Sequence, residues 1–146
     1  MTRRQQIEDL TASALPEQPA LSPDGTQIVY VLRTQDGEAD RAVRGLWRVG
    51  TRSGEPERLT RGPADSSPAW SPDGSRLAFL RAQDGPAQVW LLPMGGGEPE
   101  QLTTLPLGAG APVWSPDGRS IAFGAPVDLH AGEPGGSAPM VTKRLD

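Results

Sequence analysis

Residues of the types that carry out enzyme chemistry are scarce in this 146-residue sequence. It has no cysteine and a single histidine, His130, which lies in a stretch rich in glycine, proline and alanine. A zinc site needs several Cys or His ligands, so this count excludes one. A lone histidine in such a loop is typical of a solvated side chain rather than of a catalytic one.

The motifs that present a nucleophile or a phosphate are absent as well. The nearest match to a Gly-x-Ser-x-Gly nucleophile elbow surrounds Ser137, but Pro139 occupies the last position, and without that strained turn the hydroxyl is not activated. The glycines at 95–97 lack the Lys-Ser/Thr and the helix of a phosphate-binding loop, and they predict a hairpin turn. We therefore predict no catalytic, no cofactor-binding and no metal-binding residue, and no cofactor.

Three aspartates invite a metal interpretation because they recur in similar surroundings: Asp24, Asp73 and Asp117. Calcium loops place several oxygen ligands at alternating positions. Each aspartate here instead stands alone between a proline and a glycine, where its carboxylate caps backbone N–H groups of a turn. The pattern favours turn capping over metal binding.

These aspartates belong to a repeated Ser-Pro-Asp-Gly turn. It begins at Ser22, Ser71 and Ser115, 49 and 44 residues apart, and apolar runs follow it each time. Proline sets the φ of a turn, and glycine supplies the positive φ that lets the chain enter a hairpin. The sequence therefore predicts the same hairpin three times.

A second unit follows each of the first two hairpins. Residues 46–49 and 55–60 predict a third and a fourth strand, and residues 89–92 and 98–103 repeat them; Trp47 and Trp90 are 43 residues apart. Four short strands per repeat of this length, without an internal helix, are typical of a propeller blade. We predict an all-β fold, a partial β-propeller of about two and a half four-stranded blades.

The repeats divide the chain into residues 17–62, 63–106 and 107–146, preceded by an N-terminal segment at 1–16. Apolar residues at positions 7, 10 and 14 predict a short helix over residues 1–14. The polar residues 34–45 predict a loop insertion, residues 124–137 a further loop, and residues 139–145 one more strand. We expect the tryptophans to pack between blades: Trp47, Trp70, Trp90 and Trp114.

Charge and apolar patterning exclude several partners. The net charge of −4 gives no electrostatic reason to expect a nucleic acid. Apolar runs of four or five residues fall far short of the roughly 20 that span a bilayer, so we expect no membrane span. The pair Arg3 and Arg4 is not followed by the apolar core of a secretory signal, which predicts a cytoplasmic location.

The full repeat resembles a known one. Its elements are Pro-x-Trp-Ser-Pro-Asp-Gly-x-x-Leu/Ile-Ala-Phe, then Val/Leu-Trp, then Gly-Glu-Pro-x-x-Leu-Thr. They are similar to the Pro-Asp β-propeller repeat of TolB-like proteins and of the prolyl oligopeptidase family of serine peptidases. The Gln-Ile-Glu-Asp-Leu stretch at 6–10, ahead of the first turn, and residues 125–128 and 144–146 resemble the acylaminoacyl-peptidase and dipeptidyl-aminopeptidase branch.

This resemblance implies a non-catalytic role. In that family an N-terminal propeller of seven or eight blades covers an α/β-hydrolase domain, which carries the catalytic triad, and restricts entry to short or N-acylated peptides. No triad residue can be assigned here, so we expect an incomplete, truncated propeller that is inactive alone. Its expected partners are the missing hydrolase domain and remaining blades, or copies of itself, with peptides bound only in the full-length protein. The alternative is a TolB-like protein-binding scaffold.

Overall fold

The computed structural model describes residues 13–128 and 140–145, which form strands and turns and contain no helix. The strands are β1 (Leu15–Leu21), β2 (Gln27–Asp36), β3 (Arg41–Gly50), β4 (Glu57–Arg58), β5 (Asp65–Trp70), β6 (Arg76–Arg81), β7 (Gln88–Pro93), β8 (Glu100–Gln101), β9 (Val113–Trp114), β10 (Ser120–Gly124) and β11 (Met140–Arg144). Within this described part, no helix is long and apolar enough to cross a membrane.

The strands form three antiparallel sheets in chain order. Blade 1 has the order β1-β2-β3-β4, blade 2 the order β5-β6-β7-β8, and blade 3 the order β9-β10-β11. Each Ser-Pro-Asp-Gly turn joins the first two strands of its blade. Two four-stranded sheets and one three-stranded sheet confirm the predicted all-β partial propeller.

Blade 2 packs against both neighbours because its strands alternate their side chains between two faces. Leu77 and Phe79 of β6 lie in a buried cluster with Val29 and Val31 of blade 1. Their neighbours in β6, Ala78 and Leu80, belong to a second cluster, which includes the following residues of blade 3: Ile121 and Phe123. The core of the molecule is therefore the two interfaces between blades.

The first strands of blades 1 and 2 carry matching bulges. Gln18 and Ser67 have φ values of 49° and 53°, and the pairing of β1 with β2 and of β5 with β6 shifts at these points. The backbone N–H of Ser67 donates to Oε1 of Gln18 over 2.7 Å. The two bulges thus link the first strands of neighbouring blades.

The prediction of a loop over residues 34–45 is wrong. Strands β2 and β3 stay paired without interruption from Gln27↔Gly50 to Asp36↔Arg41. Only residues 37–40 form a turn, and Oδ1 of Asp36 accepts the N–H of Glu38 over 3.1 Å. Polar side chains do not prevent strand pairing at a hairpin tip, because the ladder satisfies the backbone groups while the side chains stay in water.

The fourth strands, β4 and β8, are shorter than the six residues predicted at 55–60 and 98–103. Pro56 and Pro99 have no N–H to donate to a ladder. After each short strand, a threonine side chain keeps the segment bound to the neighbouring third strand. Oγ1 of Thr60 accepts the N–H of Leu46 in β3, and Oγ1 of Thr103 accepts that of Val89 in β7, both over 2.9 Å.

Several predictions concern the two ends of the chain. The predicted strand at 139–145 is confirmed as β11, which pairs with β10. The predicted helix over 1–14 lies almost wholly outside the described residues. Its last two residues are described and are not helical, and positions 15 and 16, which we grouped with it, begin β1. His130 and most of the loop predicted at 124–137 also lie outside the described residues.

Candidate functional site

The three Ser-Pro-Asp-Gly turns have the same backbone geometry. In each, the glycine N–H donates to the serine carbonyl three residues earlier over 2.9 Å. The glycines have φ values of 73°, 74° and 70° at Gly25, Gly74 and Gly118. A side chain is strained at such a φ, so the turn requires glycine.

The aspartate of each turn holds the turn together. Oδ1 of Asp73 accepts the hydroxyl of Ser71 over 2.7 Å, and the N–H and hydroxyl of Ser75 over 3.0 and 2.7 Å. The carboxylates of Asp24 and Asp117 accept the hydroxyl of the turn serine and a backbone N–H in the same way. The predicted capping role is therefore confirmed.

The same hydrogen bonds lower the pKa of all three carboxyl groups. For Asp73 the backbone N–H of Ser75 is the main cause, followed by the hydroxyls of Ser75 and Ser71, and the pKa falls from 3.8 to about 2. Within residues 13–128 and 140–145, no group of three or more His, Cys, Asp or Glu side chains is placed to hold a metal ion.

Asp73 should make the fold sensitive to acid. Its pKa is depressed in the folded state, so the stabilisation is fully present above the ordinary value of 3.8 and is lost as the pH falls through about 2. We expect Asp73→Asn to have a lower Tm than the unsubstituted chain at pH 6, and the difference to shrink by pH 2. Thermal melts followed by circular dichroism across this range measure it.

A neutral substitution provides the control for this pH profile. Val113 is an exposed apolar side chain, and Val113→Ala removes no titratable group. Its Tm difference from the unsubstituted chain should not change with pH. A pH-independent difference for Asp73→Asn would show that the capping bonds do not depend on the charge of Asp73.

Two of the four tryptophans link neighbouring blades. The indole N–H of Trp70 donates to the carbonyl of Ala20 in blade 1 over 3.0 Å, and that of Trp114 donates to the carbonyl of Ala69 in blade 2 over 2.9 Å. Trp90 packs against the cluster between blades 1 and 2. These three confirm the predicted packing between blades.

Trp47 differs from the other three tryptophans. It pairs with Tyr30 across β2 and β3, next to Val29 and Val31, which face blade 2. Because side chains alternate along a strand, Tyr30 and Trp47 lie on the opposite face of blade 1. Neither of the other two described blades covers that face, and Trp47 stays half-buried there.

A cleft of about 390 Å³ lies between the first two turns. We call it the first inter-turn cleft. Its lining includes Asp24, Gln27, Trp70 and Asp73. It combines an aromatic ring with two carboxylates, which suits binding of a cationic group. Ser22 also lines it and donates its hydroxyl to Asp24, but the lowered pKa of Asp24 makes this carboxylate a weak base, so the serine is not activated.

A second cleft, of about 660 Å³, lies at the junction of blades 1 and 2, and its lining includes Arg41, Arg61 and Arg81. No histidine, cysteine or serine lines it. It therefore offers three guanidinium groups beside two carboxylates, Asp84 and Glu98, and its one hydroxyl, that of Thr60, already donates to the buried Asp65.

A buried charged pair supports this junction, and the sequence did not reveal it. Asp65 is fully buried and accepts Nε and Nη2 of Arg81 over 2.8 and 3.0 Å, as well as the hydroxyl of Thr60. The guanidinium also lies 4.9 Å from the ring centroid of Trp90 and 5.2 Å from that of Phe79. No other blade has an Asp and an Arg at the equivalent positions, so the repeat gave no signal of the pair.

Comparison with curated proteins finds peptidases. The chain is 38% identical over 128 residues to a protein described as uncharacterized peptidase YuxL, from Bacillus subtilis, covering 86% of this chain and 19% of that protein. It is 30% identical over 111 residues to dipeptidyl-peptidase 5 of Porphyromonas endodontalis, covering 75% of this chain and 16% of that protein. This chain thus spans less than a fifth of the length of these relatives. No family model matches.

Solved structures share the fold at lower sequence identity. Acylaminoacyl peptidase of Pyrococcus horikoshii has a TM-score of 0.67 at 20% identity, covering 78% of this chain and 18% of that chain. TolB from Acinetobacter baumannii has a TM-score of 0.65 at 18% identity, and the match covers 92% of this chain and 30% of TolB. The β-propeller domain of the Trilobed protease from Pyrococcus furiosus has a TM-score of 0.63 at 18% identity, and the match covers 76% of this chain and 34% of that domain. By its repeats, its fold and these comparisons, the chain is a partial β-propeller with the fold found in acylaminoacyl peptidase, the Trilobed protease and TolB.

Proposed function

We propose that this chain is the non-catalytic propeller part of a serine peptidase, and that it restricts access of short or N-acylated peptides to a catalytic domain outside the chain. The observation that carries the proposal is the 38% identity to peptidase YuxL over 86% of the chain. The match covers 19% of that relative, which leaves room there for a catalytic domain and further blades.

The architecture suits a gating role better than a catalytic one. Consecutive blades are held by buried apolar interfaces, by the indole bonds of Trp70 and Trp114, and by the hydrogen bond from the hydroxyl of Thr60 in blade 1 to the buried Asp65 of blade 2. Such cross-links make the stack of blades rigid, and a rigid wall selects ligands by size. The described clefts bring no activated nucleophile to this wall.

The purified chain should be inactive as a peptidase. We expect no hydrolysis of N-acetyl-alanine p-nitroanilide or of dipeptidyl p-nitroanilides above the rate in buffer, because no nucleophile elbow activates a serine. A fluorophosphonate probe, which labels activated serines, should leave the chain unlabelled. Turnover that rises in proportion to chain concentration, together with labelling of one serine, would contradict the proposal.

The gating role itself needs the longer protein. The coding sequence beyond codon 146 should continue through more repeats to a Gly-x-Ser-x-Gly elbow. In that protein, removing the propeller should allow the catalytic domain to cleave long, folded polypeptides that the intact enzyme rejects. Retained discrimination against long substrates would show that the propeller does not gate entry.

A second function is favoured by one observation. TolB from Acinetobacter baumannii covers 92% of this chain, more than the 78% covered by the acylaminoacyl peptidase. We infer from this the alternative of a scaffold that binds proteins and has no catalytic partner. The coding sequence around this segment distinguishes the two functions. An upstream secretory signal would favour the scaffold, and a downstream hydrolase domain would favour the peptidase. A cytoplasmic location stays a prediction that goes with the peptidase function.

A further inference from the structure

The residues that line the first inter-turn cleft recur between the second and third turns. Residue 76 occupies the same position after the second turn that residue 27 occupies after the first, 49 residues earlier. Trp114 likewise corresponds to Trp70, 44 residues earlier. The two locations therefore share their tryptophan and aspartate positions and differ at one position, which is Gln27 at the first and Arg76 at the second.

At residue 76, after the second turn, the chain supplies a cation of its own. The guanidinium of Arg76 lies over the ring of Trp114, with its carbon 5.5 Å from the ring centroid. Asp73 is close enough to sense it: hydrogen bonds from Ser75 and Ser71 dominate the lowering of its pKa, and the charge of Arg76 lowers it further. The second location thus shows which chemical group fits between two such turns.

In the first cleft the same position leaves an acceptor without a donor. Oε1 of Gln27 is buried and has no hydrogen-bond partner among the described residues. A buried acceptor that lacks its hydrogen bond is costly, so a rotation of the Gln27 side chain that brings this atom to a ligand with N–H groups is favoured. Among the described residues, the hydrogen bonds that cap the flanking turns go to Oδ1 of Asp24 and of Asp73, which leaves Oδ2 of each carboxylate available.

We propose that the first inter-turn cleft binds a guanidinium group, namely the side chain of an arginine from a partner polypeptide. The planar cation stacks on Trp70 as Arg76 does on Trp114, donates to Oε1 of Gln27 once that side chain turns toward the cleft, and has its charge balanced by Asp24 and Asp73. This is a binding site for a basic partner on the turn side of the propeller, and it is independent of any peptidase activity.

The ligand should be arginine rather than lysine. A guanidinium is planar, stacks on aromatic rings and carries five donors in a fixed fork. A lysine ammonium is a compact, strongly hydrated charge that uses an aromatic face less well. The combination of one ring and one amide acceptor therefore selects the guanidinium.

The direct test uses N-acetyl-L-arginine amide as the probe and follows the indole N–H signal of Trp70 by NMR in the full chain. We expect a saturable shift that weakens as salt is raised, because the pairing is charged. The neutral isostere N-acetyl-L-citrulline amide should give no saturable shift. Equal shifts with both compounds, or shifts that do not include Trp70, would overturn the proposal.

Two substitutions at matched positions sharpen the test. Gln27→Arg should fill the cleft from within and weaken binding of the probe by at least about tenfold, a free-energy difference of about 1.4 kcal/mol. Arg76→Gln should free the equivalent space between the second and third turns, so that the probe also shifts the indole signal of Trp114 and the stoichiometry rises from one to two. Unchanged binding by Gln27→Arg, or an unresponsive Trp114 in folded Arg76→Gln, would contradict the assignment.

Discussion

Replacing Asp65 with alanine should lower the free energy of unfolding by about 3–5 kcal/mol, which is the usual cost of breaking one side of a buried ion pair. The side chain of Asp65 is fully buried and that of Arg81 is 11% exposed, so water screens the pair very little. The alanine leaves the guanidinium without its counter-charge and leaves the hydroxyl of Thr60 without its acceptor.

Urea unfolding followed by circular dichroism measures this loss. The double variant Asp65→Leu with Arg81→Met removes both charges at similar volume, and it should recover most of the stability, because the penalty comes from the unpaired charge. A loss below about 1 kcal/mol for Asp65→Ala would place the pair in the class of solvent-exposed salt bridges. Equal losses in the single and double variants would show that packing, rather than charge, dominates.

Phe79→Ala should have a loss of similar size, about 3–5 kcal/mol, for a different reason. Phe79 is fully buried and packs in the cluster between blades 1 and 2. Truncation removes its transfer free energy and leaves a cavity in an interface that joins two blades. It also removes one of the two rings beside the guanidinium of Arg81.

The controls for Phe79 lie in the same chain. Val113 is 64% exposed, and Val113→Ala should change the stability by less than about 0.5 kcal/mol. Phe123 occupies the equivalent position in blade 3, and Phe123→Ala should loosen the interface between blades 2 and 3. Hydrogen exchange of the indole N–H groups distinguishes the two phenylalanine variants. The indole of Trp70 should lose protection first in Phe79→Ala, and that of Trp114 first in Phe123→Ala.

Features that repeat in the sequence were predictable from it. The Ser-Pro-Asp-Gly turns, the capping by Asp24, Asp73 and Asp117, and the strand order within each blade all follow from local turn chemistry and from residues that recur in register. The packing of Trp70 and Trp114 between blades was predictable for the same reason. The exact boundaries of the three repeats remain a prediction.

Features that occur once were missed because no local rule encodes them. Asp65 and Arg81 are 16 residues apart and meet only after β5 pairs with β6. The extended hairpin of β2 and β3 was read as a loop from its polar composition. The difference between the two inter-turn locations is Gln27 against Arg76, and a single polar residue at the start of a strand carries no signal until its neighbours in space are known.

The direction of the tryptophan bonds has a consequence for how such arrays evolve. Trp70 and Trp114 bring the donor, and the preceding blade contributes only a backbone carbonyl, at Ala20 and Ala69. A carbonyl is present whatever residue stands there. A duplicated gene segment that encodes one blade can therefore form this one bond to its predecessor without a compensating substitution, whereas the apolar faces that meet in the two buried clusters still have to match.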